Sequence, residues 1–141
     1  MTGFLTLRIS GLGLCLDNIT NKLEIKPTYT YKKGDTYYDK YTNSTIVYME
    51  DCWMTDKEIE TNNPENEMLC FILLLTDKAG YIRELARGFE VILWLSLYPE
   101  SEKNNVHLPY NIIEAIYKLG ISMDIEVTDL REFYDGKYPL A

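Results

Sequence analysis

The sequence predicts an α+β fold with a mostly antiparallel sheet and helices on one face. Segments in which every second residue is apolar alternate with segments whose apolar residues recur every three or four positions, and these periods are typical of strands and helices. The turn-like sequence Thr42-Asn43-Ser44 joins two strand-like arms, and links this short connect antiparallel strands.

The length and composition indicate a single core. A chain of 141 residues fits one domain, and 46% apolar with 26% charged residues is ordinary for a soluble globular protein. We predict one α+β domain over residues 1–128 and a C-terminal tail over residues 129–141, because the tail shows no apolar periodicity.

The N-terminal part predicts a strand followed by a helix. Leu5, Leu7 and Ile9 alternate with polar residues, which is typical of a strand with one wet face. A glycine-containing turn follows, and Asp17 is expected to cap a helix. Pro27 should end this helix, because proline lacks an amide hydrogen and restricts the residue before it.

The middle of the chain predicts a tyrosine-rich hairpin and then a helix. Residues 45–54, the second arm, contain β-favouring side chains, and residues 57–63 are expected to be a polar connection. Asn63-Pro64-Glu65 combines a capping residue, an N1 proline and a first-turn carboxylate. This start signal favours a helix for the apolar run at residues 68–75.

The C-terminal half predicts a helix, a strand, a second helix and a final strand. Asp77 is expected to cap the first of these helices and Gly88 to end it in the left-handed conformation. Residues 89–98 are strongly β-favouring, Pro109 should open a helix that glycine ends, and residues 121–127 alternate again. This strand–helix order repeats that of the N-terminal part, and a duplicated ferredoxin-like arrangement is one form the fold can take.

Several of these segments resemble one bacterial family, filed as domain of unknown function 4279. The similar segments are Leu7-Arg8-Ile9-Ser10-Gly11, Asp17-Asn18-Ile19, Leu23-Glu24-Ile25-Lys26-Pro27-Thr28, Lys32-Lys33-Gly34-Asp35, Trp53 and Leu119-Gly120-Ile121-Ser122-Met123-Asp124-Ile125. The resemblance covers residues 5–127 and implies a small intracellular bacterial α+β domain. Members resemble accessory proteins of toxin loci, so it also implies an immunity role, and it assigns no functional residue.

The charge of the chain bears on its partner. With 14 basic and 22 acidic residues the formal charge is −8, which disfavours nucleic acid, because that affinity comes from Lys and Arg neutralising phosphates. The acidity is explained by solubility alone or by a surface complementary to a basic protein.

No targeting signal is evident, so we expect a cytoplasmic protein. Arg8 interrupts the apolar start, and the apolar run at residues 68–75 is shorter than the about 20 residues of a membrane-spanning helix. Cys15, Cys52 and Cys70 are scattered among apolar residues, which predicts small buried side chains rather than disulfides.

Residues for catalysis, a cofactor or a metal are not predicted. His107 is the one histidine and lies beside a turn. Gly11-Leu12-Gly13 follows a strand, as phosphate-binding turns do, but the third glycine is missing and Asp17 would repel a phosphate. The acidic pairs, such as Asp124 and Glu126, are typical of a solvated strand face.

The predicted partner-binding residues are five tyrosines and two lysines: Tyr29, Tyr31, Lys32, Lys33, Tyr37, Tyr38 and Tyr41. Interfaces favour tyrosine because it combines a large apolar ring with a hydrogen-bonding hydroxyl. The same residues are also compatible with a merely packed hairpin, or with stacking on single-stranded nucleic acid. We predict a non-catalytic module that binds a protein, most concretely an immunity-type inhibitor of a toxin such as a basic nuclease.

Two other functions stay open. One is a small-molecule sensor with a pocket between sheet and helices, lined by Trp53 and Trp94. The other is an enzyme that uses a carboxylate, for which Asp51, Asp77 and Asp124 are the candidates.

Overall fold

The computed structural model describes residues 2–60, 64–98 and 106–128 of the chain. These residues form seven strands and four helices. In chain order they are β1 (Thr2–Gly11), α1 (Leu16–Leu23), β2 (Tyr29–Tyr31), β3 (Thr36–Asp39), β4 (Ser44–Val47), β5 (Asp51–Glu60), α2 (Pro64–Thr76), α3 (Ala79–Gly88), β6 (Glu90–Tyr98), α4 (Tyr110–Leu119) and β7 (Ser122–Val127).

Five strands form one sheet, in the order β2-β5-β1-β6-β7, and β3 pairs with β4 in a separate two-stranded ribbon. The central strand β1 is antiparallel to both β5 and β6, whereas β7 adds to the edge in parallel with β6. The predicted α+β class with a mostly antiparallel sheet is therefore confirmed.

The connections form a single ferredoxin-like unit with additions. Helix α1 connects β1 to β2, and β5 lies between these two strands in the sheet. Helices α2 and α3 connect β5 to β6, and β1 lies between those two strands. Both connections have the form of a split β–α–β motif. The duplication is not confirmed. Helix α4 joins two strands that are direct neighbours, so the C-terminal part does not repeat the topology of the N-terminal part.

All four helices contribute to a core on one face of the sheet. Ile9 and Trp53 are opposite each other, as are Leu7 and Leu93, and all four side chains are fully buried. Helical residues complete the same cluster, among them Ile19, Leu23, Ile72, Leu75, Ile82, Ile112 and Leu119. Fully burying one such side chain contributes roughly 1.5–3 kcal/mol. This core is what fixes the sheet.

The opposite face of the sheet is exposed to solvent over much of the described part of the chain, although Ser10 and Cys52, which pair at one end of it, are buried. Its apolar side chains include Phe4 and Trp94, which are 38% and 37% exposed. An antiparallel sheet commonly has one packed and one solvated face. The prediction of helices on one face is confirmed.

The strand β5 differs from its prediction at both ends. The expected continuous arm is broken at residues 48–50, so that β4 belongs to the ribbon and β5 to the sheet. The expected polar connection is largely strand, because β5 continues to Glu60 in register with β1. Ile59 lies opposite Gly3 and is fully buried, which anchors this polar stretch. Residues 61–63, with the predicted cap Asn63, lie outside the described residues, as does the tail at residues 129–141.

Helix ends were predicted less well than helix positions. Cys15 is the N-cap of α1, Asp17 lies in its first turn, and the helix ends before Pro27 with Glu24 in the left-handed conformation. The N-cap of α3 is Lys78 rather than Asp77.

At the far end of α3, Gly88 is its last helical residue and is followed by an extended Phe89, so the predicted left-handed stop is wrong. At Gly120 that prediction is right, because its φ of 65° ends α4. None of the helices in the described segments is long and apolar enough to cross a membrane.

Candidate protein-binding surface

The seven predicted binding residues follow one path from the edge of the sheet to the tip of the ribbon. Tyr29 and Tyr31 lie on the edge strand β2, and Tyr37 and Tyr38 lie on β3. Lys32 and Lys33 occupy the turn between these strands, and Tyr41 lies in the hairpin loop after β3.

Four tyrosine rings meet where the ribbon approaches β2, and we call Tyr29, Tyr31, Tyr37 and Tyr48 the tyrosine cluster. The rings of Tyr31 and Tyr48 are stacked, with centroids 3.6 Å apart at an angle of 11°. Tyr37 lies 4.9 Å from Tyr48, and Tyr29 lies 5.9 Å from Tyr31 in an edge-to-face arrangement. Aromatic pairs in such geometries attract beyond their burial. The cluster therefore links the ribbon to the sheet.

Two tyrosines of the cluster, Tyr31 and Tyr48, have raised pKa values. The hydroxyl oxygens of Tyr29 and Tyr48 are 3.0 Å apart, and this hydrogen bond, with some desolvation, raises the pKa of Tyr48 to about 12. Burial raises the pKa of Tyr31. The hydroxyls of Tyr31 and Tyr48 are thus neutral at pH 7.

Tyr38 and Tyr41 lie apart from the cluster. Neighbouring residues on a strand point to opposite faces, so Tyr38 faces away from Tyr37, and its hydroxyl donates to the side chain of Asn43. The exposed fractions of Tyr38 and Tyr41 are 59% and 79%. The structure therefore separates the predicted tyrosines into a packed group and an exposed group.

The lysine turn is fixed through its backbone. The amide of Lys32 donates to the carboxylate of Asp35 at 2.8 Å. Tyr48 pairs with this turn through two backbone hydrogen bonds of 2.9 Å, one from the amide of Gly34 and one to the carbonyl of Asp35. Gly34 has a φ of 94°, which a residue with a side chain rarely adopts. The Lys32 and Lys33 side chains are exposed on this fixed turn.

Asp51 joins the lysine turn to the glycine turn after β1. Its Oδ2 accepts hydrogen bonds from the amides of Gly13 and Leu14, each at 3.0 Å, and its Oδ1 accepts one from the amide of Lys33 at 2.8 Å. These donors, with Lys33 the strongest, lower the pKa of Asp51. The amides that resembled a phosphate-binding turn are thus already bound to a carboxylate of the protein.

Arg8 lies on the open face beside the tyrosine cluster. Its guanidinium donates to the hydroxyl of Tyr31 at 3.5 Å and forms ion pairs with Glu50 at 3.7 Å and Glu90 at 3.8 Å. The cation is therefore balanced by two carboxylates.

The tryptophans do not line a common pocket. Trp53 faces the helices, and its Nε1 donates to the hydroxyl of Thr20 at 3.0 Å. Trp94 is opposite Thr6 on the open face. A different cleft of about 450 Å³ lies beside α1, lined by Gly13, Leu14, Cys15, Leu16, Asp17, Thr20, Pro27, Thr30 and Lys32.

The prediction that the cysteines are buried is right for one residue of three. Cys52 is buried, but Cys15 and Cys70 are exposed, and all three thiols are free. Cys15 precedes α1 at a loop, and Cys70 lies on the outer side of α2, so apolar neighbours in sequence did not imply burial.

The carboxylates proposed for catalysis do not converge. Asp51 lies at the start of β5, opposite Gly11 at the end of β1. Asp124 lies on β7, opposite Trp94 of β6, and Asp77 follows α2. His107 is exposed before α4. No group of three or more metal-binding side chains occurs in the described segments.

A family model described as a domain of unknown function, DUF4279, matches residues 1–130. The chain belongs to this family. The match confirms the resemblance seen in the sequence, and for this DUF4279 domain it spans every strand and helix described above. No curated protein and no solved structure matches the chain.

Proposed function

We propose that this DUF4279 domain is a non-catalytic module that binds a protein partner through the ribbon and the adjoining edge of the sheet. The observation that carries the proposal is the arrangement of the ribbon. The packed tyrosine cluster and Asp51 hold it in place, while Tyr38 and Tyr41 remain exposed near its tip.

A fixed support makes exposed tyrosines effective in binding. Association loses less entropy when the contacting loop is already ordered, and tyrosine adds a large contact area with only two side-chain torsions. Binding hot spots are accordingly rich in tyrosine.

The most concrete form of the proposal is an immunity-type inhibitor of a toxin in the bacterial cytoplasm. A net charge of −8 suits a basic partner, such as a nuclease whose own surface is made to bind nucleic acid. The inhibitor would act by covering that surface.

The proposal is tested by passing the products of neighbouring genes over the immobilised full chain. The full chain is expected to retain one of them with an affinity in the nanomolar to micromolar range. Changing Tyr38 and Tyr41 together to Ala should weaken this binding by at least about 2 kcal/mol while leaving the free energy of unfolding within about 1 kcal/mol.

Tyr110 and Tyr117 provide a matched control. They are 77% and 83% exposed on α4, away from the ribbon, and their double change to Ala should leave the affinity unchanged. Equal losses for the two double variants, or no partner among the neighbouring products, would contradict the proposal.

The cleft beside α1 favours a second candidate function, the sensing of a small molecule. Its volume of about 450 Å³ lies in the range of small-ligand sites. A ligand that binds the folded state raises the melting temperature, and changing Thr30, which lines the cleft, to Trp should abolish that rise. A library screen without any shift would argue against this function.

A further inference from the structure

Two rows of side chains cross the exposed face of the sheet, each with one aromatic and one hydroxyl residue between two carboxylates. One row runs Asp56, Thr6, Trp94 and Asp124 across β5, β1, β6 and β7, and the next runs Glu58, Phe4, Ser96 and Glu126. Each row begins and ends with a carboxylate and has an aromatic ring between. We call these eight residues the acidic track.

The width of the acidic track matches an α-helix. Three strand spacings of about 4.8 Å separate β5 from β7 by about 14 Å, and a helix with its side chains is about 10–12 Å wide. A helix lying along the strands would rest on β1 and β6, with Asp56 and Glu58 of β5 on one side and the carboxylates of β7 on the other.

The floor of the acidic track is apolar and accessible. Phe4 and Trp94 lie diagonally across β1 and β6, and their exposed fractions are 38% and 37%. Ile92 lies two residues before Trp94 on the same face of β6. Adjacent exposed apolar side chains of this kind mark interaction sites more often than scattered ones do.

Among the described residues, the side-chain donors to the marginal carboxylates are uncharged: Thr6 donates to Asp56 at 2.7 Å and Thr128 donates to Glu126 at 3.5 Å. In the described part of the chain no lysine or arginine forms an ion pair with Asp56, Glu58, Asp124 or Glu126. Arg8, a cation on this face, is paired with Glu50 and Glu90. The track therefore attracts positive charge on both sides of an apolar strip.

We propose that the acidic track binds an amphipathic helix of a protein partner, one with an apolar stripe flanked on both sides by Lys or Arg. This rests on the proposed function in assuming a protein partner, and it adds the surface and the type of element recognised. The apolar stripe of the partner helix would cover Phe4 and Trp94, and its flanking cations would reach the carboxylates on β5 and on β7.

Charge excludes the main competing occupants. A second copy of the chain would bring like carboxylates together, and nucleic acid would bring phosphates against them, both of which are repulsive. Recognition of an amphipathic helix through its apolar face, with charged flanks, fits both features.

The test uses a synthetic helix of about 14 residues, with leucines on one side and lysines on both flanks, titrated calorimetrically into the full chain. At about 1.5 Å per residue it spans about 21 Å, which is within the length of β1 and β6. We expect binding, with the indole resonance of Trp94 shifting in ¹⁵N-labelled protein. The same peptide with glutamates in place of lysines should not bind.

Matched charge reversals separate local recognition from general attraction. Changing Asp124 and Glu126 to Lys should weaken the peptide at least about tenfold, as should Trp94→Ala. Changing Asp77 and Glu84 to Lys alters the net charge equally but lies on the helical side, and should cost much less. The folding of each variant is checked by thermal unfolding.

Several results would overturn the proposal. The first is an equal loss of peptide affinity for the two charge-reversal variants, and the second is binding of the glutamate peptide as tightly as the lysine peptide. The others are binding of single-stranded DNA on this face, and a dimer of the natural chain that the double change of Asp124 and Glu126 to Lys dissociates. The proposed function fails separately. Peptide binding that the acidic-track variants weaken supports the acidic track even if no product of a neighbouring gene is captured. A captured partner whose affinity falls on changing Tyr38 and Tyr41, but not on changing the acidic track, refutes the acidic track alone.

Discussion

The sheet core and the ribbon are held in place by different interactions. The core consists of fully buried aliphatic and aromatic side chains, such as Leu7, Trp53 and Leu93. In the ribbon, no residue of β3 or β4 is buried, and its position depends on stacked tyrosines and on hydrogen bonds to Asp51. The core should therefore respond mainly to changes of volume, whereas the ribbon should respond to changes of protonation.

The largest effect is expected in the core. Changing Trp53 to Ala removes a fully buried ring and its hydrogen bond to Thr20, and should lower the free energy of unfolding by about 3–5 kcal/mol. Trp94→Ala, on the open face of the same sheet, should cost less than about 1 kcal/mol. Denaturant unfolding followed by circular dichroism measures both. Similar losses would show that the open face is packed as tightly as the covered one.

A smaller, pH-dependent effect is expected where the ribbon is anchored. The pKa of Asp51 in the folded chain is lowered from 3.8, so its carboxylate stabilises the fold above about pH 4 and loses that contribution as the pH falls through the folded pKa. Asp51→Asn should therefore melt at a lower temperature than the natural chain at pH 7, and the difference should be smaller at pH 2.

The control for this prediction is Asp77→Asn, an exposed carboxylate on the other side of the molecule. Its melting temperature should follow that of the natural chain at both pH values. A difference between Asp51→Asn and the natural chain that is the same at pH 7 and pH 2 would mean that the side chain acts through packing rather than through its charge.

The smallest effect is expected within the tyrosine cluster. Tyr48→Phe keeps the ring stacked on Tyr31 and removes the hydrogen bond to Tyr29. Because the pKa of Tyr48 is raised from 10.0 to about 12, its neutral form stabilises the fold below pH 10, and this contribution is lost as the pH rises towards 12.

A spectrophotometric titration near 295 nm, where tyrosinate absorbs, should show a late-ionising tyrosine in the natural chain that Tyr48→Phe lacks. Tyr110→Phe removes an exposed tyrosine on α4 and should retain the late phase. Loss of that phase in both variants would assign it to general unfolding.

The core was largely predictable from the sequence because one-sided burial imposes a period. Leu5, Leu7 and Ile9 must all face the helices, and their spacing shows it directly. The second half of β5 was missed, because pairing with β1 rather than burial makes it a strand, and Ile59 is its one buried apolar residue. Helix caps were missed at Asp77 and Gly88, since cap preferences are weak beside the geometry of the packed helices.

The binding surface was predictable only in part. The abundance of tyrosine in residues 29–41 indicated the region, but the cluster depends on Tyr48, which approaches Tyr31 only when the ribbon folds back. The role of Asp51 is likewise spatial, because its three amide partners come from two distant turns. No spacing in the sequence reports such contacts.

The central position of β1 has a consequence for how the protein is made. Thr6 pairs with Asp56 on one side and with Trp94 on the other, so β1 is translated well before both strands that it pairs with. Contacts this remote in sequence slow folding, and unpaired strand edges are sites of aggregation. A nascent chain that ends before β6 therefore carries β1 with one edge unpaired, and this edge can pair with other chains.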